Sequence, residues 1–514
     1  MRVQIDCLTD LPATSLKHGR RHVRVWRVNR IRTVNVSQEE ADFASDSLAD
    51  DLPLLCCRHY PQASSFVSVL GVCAGWLGLL APDLFIFVLT NILLSGFLIL
   101  IAFRAFLSLI GAFARRTSKA SEKDKSPPDV LSAAGAQTLP HYSVLVPLYQ
   151  EAASVPGLVA ALEALDYPTD RLDVLFLTEN DDTATRQALL AQLAASRSLQ
   201  TRAQILTLPD GMPRTKPRAL NVALHRLAGG LVTIYDAEDR PHPDQLKRAA
   251  AAMQAGAGNL ACVQAPLYAY NAEESWLAGQ WALEYDVHFG LILPALAKFG
   301  LPVALGGTSN HFRVSALRRA GGWDAWNVTE DADIGLRFAR MGERVGVISP
   351  PTQEEGPETL RIWVRQRSRW IKGYIQTWLV LMRQPVLAAR QMGVLNFVSG
   401  LGLLSGAIGS ALLHAPCLVW LLLCLLSPEV GLAPIGQIVL IAGYAVSAGA
   451  AGLAPNRTGA NRWKLIASFW LYWPLLSWAA AIALYEMLRA PHTWAKTPHA
   501  LTRQTPQSVQ EAFA

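Results

Sequence analysis

The sequence predicts an α/β domain built on a mostly parallel sheet and inserted between two blocks of membrane-spanning helices. Three observations carry this. Of 514 residues, 51% are hydrophobic and only 17% charged, with a mean hydropathy of +0.22. Soluble domains carry roughly 25% charge, so part of this chain belongs in a bilayer. Apolar runs long enough to cross a membrane stand at 64–103 and again beyond 393. Between them, short β-rich runs alternate with helical patterns, as in a parallel sheet covered on both faces.

In chain order, residues 1–60 are polar, with a basic run from Lys17 to Arg32 and an acidic patch from Glu39 to Asp51. No apolar run leads them, so they read as a cytoplasmic segment without fixed structure. Residues 61–113 read as a membrane hairpin of runs 64–80 and 84–103. Arg58, Arg104, Arg115 and Arg116 flank it and no basic residue lies in its turn, so both ends face the cytoplasm. Residues 114–140, rich in Ser, Lys, Asp and Pro, read as a linker. Residues 141–370 form the α/β domain, with strands at 142–149, 172–178, 203–208 and 231–237 and helices at 155–165, 184–195 and 217–227. Residues 371–392 are too polar to span and read as an amphipathic interfacial helix. Residues 393–488 divide into spans at 393–413, 415–433, 434–454 and 465–488, giving six crossings in all, and 489–514 is a cytoplasmic tail.

The net charge of +6 sits beside apolar runs, the pattern of membrane orientation and not of nucleic-acid binding. Seven scattered Cys, an odd number without metal spacing, read as reduced thiols. One conflict stands out. Arg457, Arg462 and Lys464 ask for the loop at 456–464 to be cytoplasmic, and Arg489, Lys496 and Arg503 ask the same of the tail. A single crossing between them cannot satisfy both, and this reading places the loop outside.

Polar clusters fall at the carboxyl ends of the strands, where ligands of open α/β sheets bind. "YDAEDRP" sets Asp236, Glu238 and Asp239 just past the fourth strand. Carboxylates this close repel unless a cation lies among them, and Mg²⁺ uses one or two carboxylates with substrate phosphates. A solvated turn with capping acids competes with that reading. "NVTEDADIGLRF" carries Glu330, Asp331 and Asp333, either as helix-capping acids or with one of them a general base. "RQRSRWIKG", 365–373, is either a positive anchor before a membrane segment or a site for an anion or a sugar ring.

Together these clusters resemble the family 2 glycosyltransferases, and among them the membrane-embedded processive group of cellulose synthase and hyaluronan synthase. "DAE" stands at the D-x-D position, "TED" (Thr329–Asp331) matches the base motif, and "QRSRW" (Gln366–Trp370) matches Q-x-x-R-W. "VPLYQE" (146–151), "TKPRALN" (215–221), "VQAP" (263–266) and "GGTSNHFR" (306–313) follow in family order. The resemblance covers about 141–373. It departs at Glu238, which makes Asp239 an alternative ligand, and at Glu179 or Asp181, where relatives carry Asp. The Arg-rich cyclic-dinucleotide motif of bacterial cellulose synthases is absent.

The resemblance implies a GT-A-like, Rossmann-like nucleotide-diphospho-sugar transferase domain and inverting transfer from a UDP-sugar, with glucose or N-acetylglucosamine as the sugar. Asp236 and Glu238, or Asp239, would hold Mg²⁺ or Mn²⁺. Asp331, beside Glu330, would be the base. Pro147, Tyr149, Glu151, Glu179, Asp181 and Lys216 would line the nucleotide site, and Gln366 and Arg369 the diphosphate side. Trp370, Gly307 and Thr308 would meet the acceptor. Trp494, Lys496 and Thr497 in "HTWAKTPH" would form a gating loop over the nucleotide. Arg365, Arg367 and Lys372 would face lipid headgroups. The acceptor is a growing polysaccharide or, alternatively, a lipid such as ceramide or polyprenyl phosphate. The setting is the inner membrane as a multi-pass protein, with room for accessory export subunits. Acids at strand ends count against a transporter or receptor, and a cytoplasmic site beside a metal cluster counts against a hydrolase.

Overall fold

The computed structural model describes residues 25–28, 31–58, 65–124, 139–196, 198–427, 434–457, 459 and 461–493. A nine-stranded sheet organises the α/β domain, in the order β1-β2-β5-β4-β3-β6-β10-β8-β11. Its strands are β1 (Val25–Val28), β2 (Ile31–Asn35), β3 (Tyr142–Leu148), β4 (Leu172–Glu179), β5 (Ala203–Leu208), β6 (Leu231–Ile234), β8 (Leu260–Gln264), β10 (Asn310–Arg313) and β11 (Arg344–Val347). Strands β2 to β6 run parallel, with Val144 opposite Val174 and Val174 opposite Ala203, and β10 is antiparallel to both neighbours. A small second sheet joins β7 (Arg240–Pro241), β12 (Thr352–Glu354) and β9 (Leu267–Ala269).

Alternation along the strands builds two cores. Val144, Val146, Phe176 and Ile205 point to one face and Leu145, Leu177 and Leu206 to the other. The second core runs without a polar break through Leu107 and Leu291 to Trp473, so the sheet and the membrane helices share one interior.

The helices that matter below are α1 (Gln38–Asp51), α2 (Ser65–Leu80), α3 (Pro82–Asp124), α4 (Lys216–Arg226), α5 (Trp276–Val287), α6 (Glu330–Arg340), α7 (Leu360–Met382), α8 (Val394–Leu426), α9 (Pro434–Leu453), α10 (Arg462–Ala467) and α11 (Phe469–Arg489). Among the described residues, four stretches are long and apolar enough to span a membrane: Pro82–Arg116, Val394–Cys424, Gly436–Leu453 and Phe469–Arg489, with Gly71–Leu80 a shorter apolar helix.

Four sequence expectations change. Residues 31–58 are ordered: β2 extends the sheet beside β5, and α1 packs on α4, with Arg226 bridging to Glu40 at 2.8 Å. Residues 114–124 continue α3, and 125–138 lie outside the described residues. The boundary at 370 disappears, because α7 runs unbroken from Leu360 to Met382 and carries the whole Q-x-x-R-W motif. Where the sequence predicts spans at 393–413 and 415–433, one helix, α8, runs from Val394 to Leu426 through Pro416, and 428–433 lie outside the described residues. The Ala415 N–H there donates to Ser477 Oγ at 2.9 Å, since neighbouring helices can satisfy backbone near a proline.

Candidate active site

The strand ends open into a cavity of about 890 Å³ that continues down between α3, α8 and α9. Pro147, Tyr149, Glu151, Glu179 and Lys216 line its upper wall, Asp236 and Glu238 its side, and Asp331, Arg369 and Trp370 its floor. The backbone at its edge is strained. Gln150 and Ser309 hold φ of 54° and 56°, a conformation L side chains rarely adopt.

The first acidic cluster divides in two. Asp239 is fully buried and turned inward. It accepts the Asp236 N–H at 2.7 Å and the Thr308 hydroxyl, so it holds the turn. Burial, and then the Asp236 and Glu238 charges, raise its carboxyl well above the ordinary range. Asp236 and Glu238 face the cavity instead, and this geometry favours Glu238 over Asp239 as the second ligand. Lys216, at the start of α4, sits 2.5 Å from Asp236 Oδ1 and 2.7 Å from the Gly307 carbonyl. Burial opposes its charge, but Asp236 and Glu330 outweigh that and hold it above its ordinary value.

Sequence reasoning missed Glu354. It lines the same cavity from β12, and burial, followed by the Asp239, Glu238 and Asp236 charges, raises it well above normal. Its Oε1 is buried and unpartnered. "TQEEGPE" has acids, but only the parallel pairing of β12 with β9 brings Glu354 to this wall. Three carboxylates against Lys216 leave an excess of negative charge, and that donor set fits a divalent cation of the Mg²⁺ or Mn²⁺ kind. Among the described residues, no group of three or more such ligands stands already at coordinating geometry.

Asp331 opens α6 and approaches Gly307 closely: a Cβ on Gly307 would meet Asp331 Oδ2 at 3.3 Å. Its Oδ1 accepts the Ala332 N–H at 2.8 Å. Burial raises its carboxyl, against the pull of that bond, Lys216 and Arg369. Glu330 beside it is buried, and burial, then Asp331, raises it to about 7. The loop before them is clamped from α7. Gln376 Oε1 accepts the Val328 N–H at 3.1 Å, Asn327 donates to Thr377 Oγ1 at 3.0 Å, and Arg369 donates to the Val328 carbonyl at 3.3 Å. Gly373 is obligatory there, since a Cβ would overlap Thr329 Oγ1.

Trp370 forms part of a ladder of rings. It lies nearly parallel to Tyr285 (6.4 Å, 19°), which stacks on Trp281 (3.7 Å, 27°). Gln366 does not reach into the cavity alone: its Oε1 accepts the Trp281 N–H at 3.1 Å. Glu179 is ion-paired with the buried Arg218 at 3.5 Å, and Asp181 is bound by Arg214, whose guanidinium covers Tyr149 at 4.5 Å. Asp181 therefore stands behind Arg214 and not on the cavity wall. Arg367 and Lys372 do not face headgroups. They are buried, bound to Glu284 and to Glu486 (2.8 Å), while Arg365 is exposed. Trp494, Lys496 and Thr497 lie outside the described residues, but the chain just before them docks here. Thr493 O accepts from Lys372 at 2.9 Å and His492 Nδ1 donates to the Trp326 carbonyl at 2.8 Å.

Two family models match this chain: the glycosyl transferase family group 2 over residues 231–488, half of the chain, and the glycosyl transferase family 2 over residues 143–317. The chain belongs to the family 2 glycosyltransferases. Its α/β domain is a GT-A-like nucleotide-sugar transferase fold. The β-monoglucosyldiacylglycerol synthase of Synechocystis is 28% identical over 292 residues, 55% of this chain and 59% of that protein. Glucomannan 4-β-mannosyltransferase 2 of Arabidopsis thaliana is 27% identical over 245 residues, 46% of this chain and 45% of that one. The chain thus spans about half the length of these curated relatives. Among solved structures, the Pyrobaculum calidifontis mannosyltransferase PcManGT, in complex with GDP-Man and Mn²⁺, aligns with a TM-score of 0.47 at 20% identity, covering 77% of this chain and 99% of that one.

Proposed function

We propose that this protein transfers a sugar, with inversion, from a UDP-sugar to a growing polysaccharide at the inner face of the membrane, and feeds the product into the cavity between its membrane helices. The observation that carries this is the continuity of that cavity from Asp331 to the bilayer. Below Trp370 it is lined by Phe469, Trp473, Tyr444 and His414, whose rings lie 4.7–5.0 Å apart, with Arg104 and His288 beside them. Rings accept the C–H faces of a sugar and the polar groups its hydroxyl edges. Ionisable residues at membrane depth face polar paths, and an acyl chain calls for none of them.

In the mechanism, Asp331 takes the acceptor hydroxyl proton as that oxygen attacks the anomeric carbon. The bond to the diphosphate breaks, and its electron pair leaves on the phosphate oxygen facing Arg369, whose planar fork suits phosphate. Asp236 and Glu238, with Glu354 nearby, would hold Mg²⁺ or Mn²⁺, which supplies charge neutralisation to the leaving group. Lys216 holds the Asp236 carboxylate in place by its contact to Oδ1. Trp370 holds the acceptor ring, with Gly307 and Thr308 on its other side. Glu151 and Tyr149 face the nucleoside, and Arg214 closes over it.

A lipid acceptor is the second reading. The deepest cavity wall is aliphatic (Leu418, Leu421, Val439, Leu440), and a diacylglycerol glucosyltransferase is among the relatives. Membranes incubated with labelled UDP-sugars decide between them. Label in a polymer that stays aqueous and grows with time supports the polysaccharide reading; label that extracts wholly into organic solvent as one small product overturns it.

A further inference from the structure

We infer that the segment Pro53–Arg58, just ahead of α2, is a positioning strap for the transfer reaction: it fixes the loop Asp324–Thr329 and, through that loop, sets Asp331 against the acceptor. The inference rests on Asp331 as the base and holds whichever acceptor is used.

The loop needs outside support. Residues 324–329 form irregular turns, and their backbone closes on itself from the Asn327 N–H to the Asp324 carbonyl at 3.1 Å. Side chains hold the rest. Asp324 is fully buried, and both its oxygens are engaged. Oδ1 accepts the Trp326 N–H at 3.0 Å and the Cys56 thiol at 3.3 Å, and Oδ2 accepts the Cys57 N–H at 2.7 Å. Two of these three donors belong to the strap. Without them a buried carboxylate would keep one donor from its own loop, and a buried polar group short of partners drives the chain that carries it to rearrange.

Trp326 completes the joint. The Arg58 guanidinium lies over its ring at 5.1 Å, and Leu48, Leu52 and Cys56 pack around it. Asp46 of α1 holds Arg58 at 3.0 Å. The loop has other anchors: Thr215, next to Lys216, donates to the Ala325 carbonyl at 2.8 Å, and His492 to the Trp326 carbonyl. Of these, the strap is what reaches the Asp324 carboxylate.

The strap is itself fastened to the helix that bears Arg369 and Trp370. Arg383, at the end of α7, donates to the Pro53 carbonyl at 2.8 Å and to the Cys56 carbonyl at 3.2 Å. The same helix grips the far end of the loop through Gln376 and Thr377. Strap and α7 thus hold the loop from both ends and set Asp331 relative to Arg369 and Trp370. A base must come within about 2.6–3.2 Å of the group it deprotonates, and a misplacement of about 1 Å can cost on the order of 10²-fold in rate.

The test uses the full chain carrying Arg58→Gln with Arg383→Gln, which loosens the strap and leaves Asp324 and the cavity wall as they are. Amide deuterium exchange should rise at 53–58 and at 324–331 and stay unchanged in β3 and β4. The kcat for UDP release should fall at least about tenfold, with KM for the UDP-sugar within about twofold. Arg58→Gln alone, at a side chain 34% exposed, should show the same pattern at about threefold and serves if the double variant does not fold. Normal kcat with exchange raised at 53–58 overturns the inference. Unchanged exchange at 324–331 overturns it too, since the loop would then stand without the strap. A rise shared by β3 and β4 also overturns it, as a general loss of stability. Asp331→Asn separates the two readings: normal turnover there defeats the base, whereas lost turnover there beside normal turnover in the strap variant defeats the strap alone.

Discussion

The two acidic clusters look alike in sequence and behave alike in one respect only. Each spends one carboxylate on structure. Asp239 holds its turn by accepting from Asp236 N–H and Thr308, and Asp333 binds Arg337 at 2.7 Å with both groups buried. They differ in what remains. After β6, Asp236 faces the cavity already paired with Lys216, within a surplus of carboxylates that fits a cation. At the start of α6, Asp331 faces the cavity with Lys216 and Arg369 near and, among the described residues, no ion pair to it, as a base needs. Spacing cannot distinguish a charge that binds a metal from one that accepts a proton. Partners can.

The largest effect should come from Asp331→Asn. Loss of a general base lowers turnover by about 10²–10⁴-fold, and nucleotide affinity, read by calorimetry, should stay within about threefold. Near-normal turnover would remove Asp331 from the chemistry and leave the two clusters without distinct roles.

Asp236→Ala comes next, and it should weaken donor binding and turnover together. The loss should exceed the roughly 10- to 100-fold typical of an outer-shell ligand partner. Excess EDTA should reproduce it in the unmodified protein. Within the same turn, Glu238→Gln should raise the metal concentration needed for activity, while Asp239→Asn should not. The reverse order would make the inward-facing acid the ligand.

Asp333→Ala probes the structural member of the second cluster. Removing one partner of a buried pair costs about 3–5 kcal/mol. The variant should melt earlier, and the fraction still folded should turn over at the usual rate. Intact stability with lost turnover would assign chemistry to Asp333.

These roles show why the sequence was legible in some places and not in others. The strands from β3 to β6 are continuous Val/Leu/Ile runs because both sheet faces are covered, and their ends are marked by the polar residues that line the cavity. Residues 31–58 carry a weaker signal. Their core contacts come from apolar residues spaced among polar ones (Ile31, Val34, Ala41, Ala44, Leu48), and β2 pairs with β5, about 170 residues away along the chain. Arg367 and Lys372 read as surface charges because their partners, Glu284 and Glu486, lie 83 and 114 residues away along the chain.

The smallest effect separates Glu330 from its neighbour by pH. Burial, reinforced by the Asp331 charge, raises Glu330 to about 7 from an ordinary 4.5. A carboxyl raised on folding binds its proton more tightly in the native state, so its contribution to stability is complete below pH 4.5 and fades as pH climbs through 7. A displacement of that size corresponds to something on the order of 3 kcal/mol. Glu330→Gln keeps the shape of the neutral side chain and cannot ionise. In EDTA and without nucleotide, the unmodified protein should lose melting temperature between pH 4.5 and 7 relative to this variant, and the gap should level off above that window. Parallel melting curves across the range would mean that Glu330 is ionised in the folded protein.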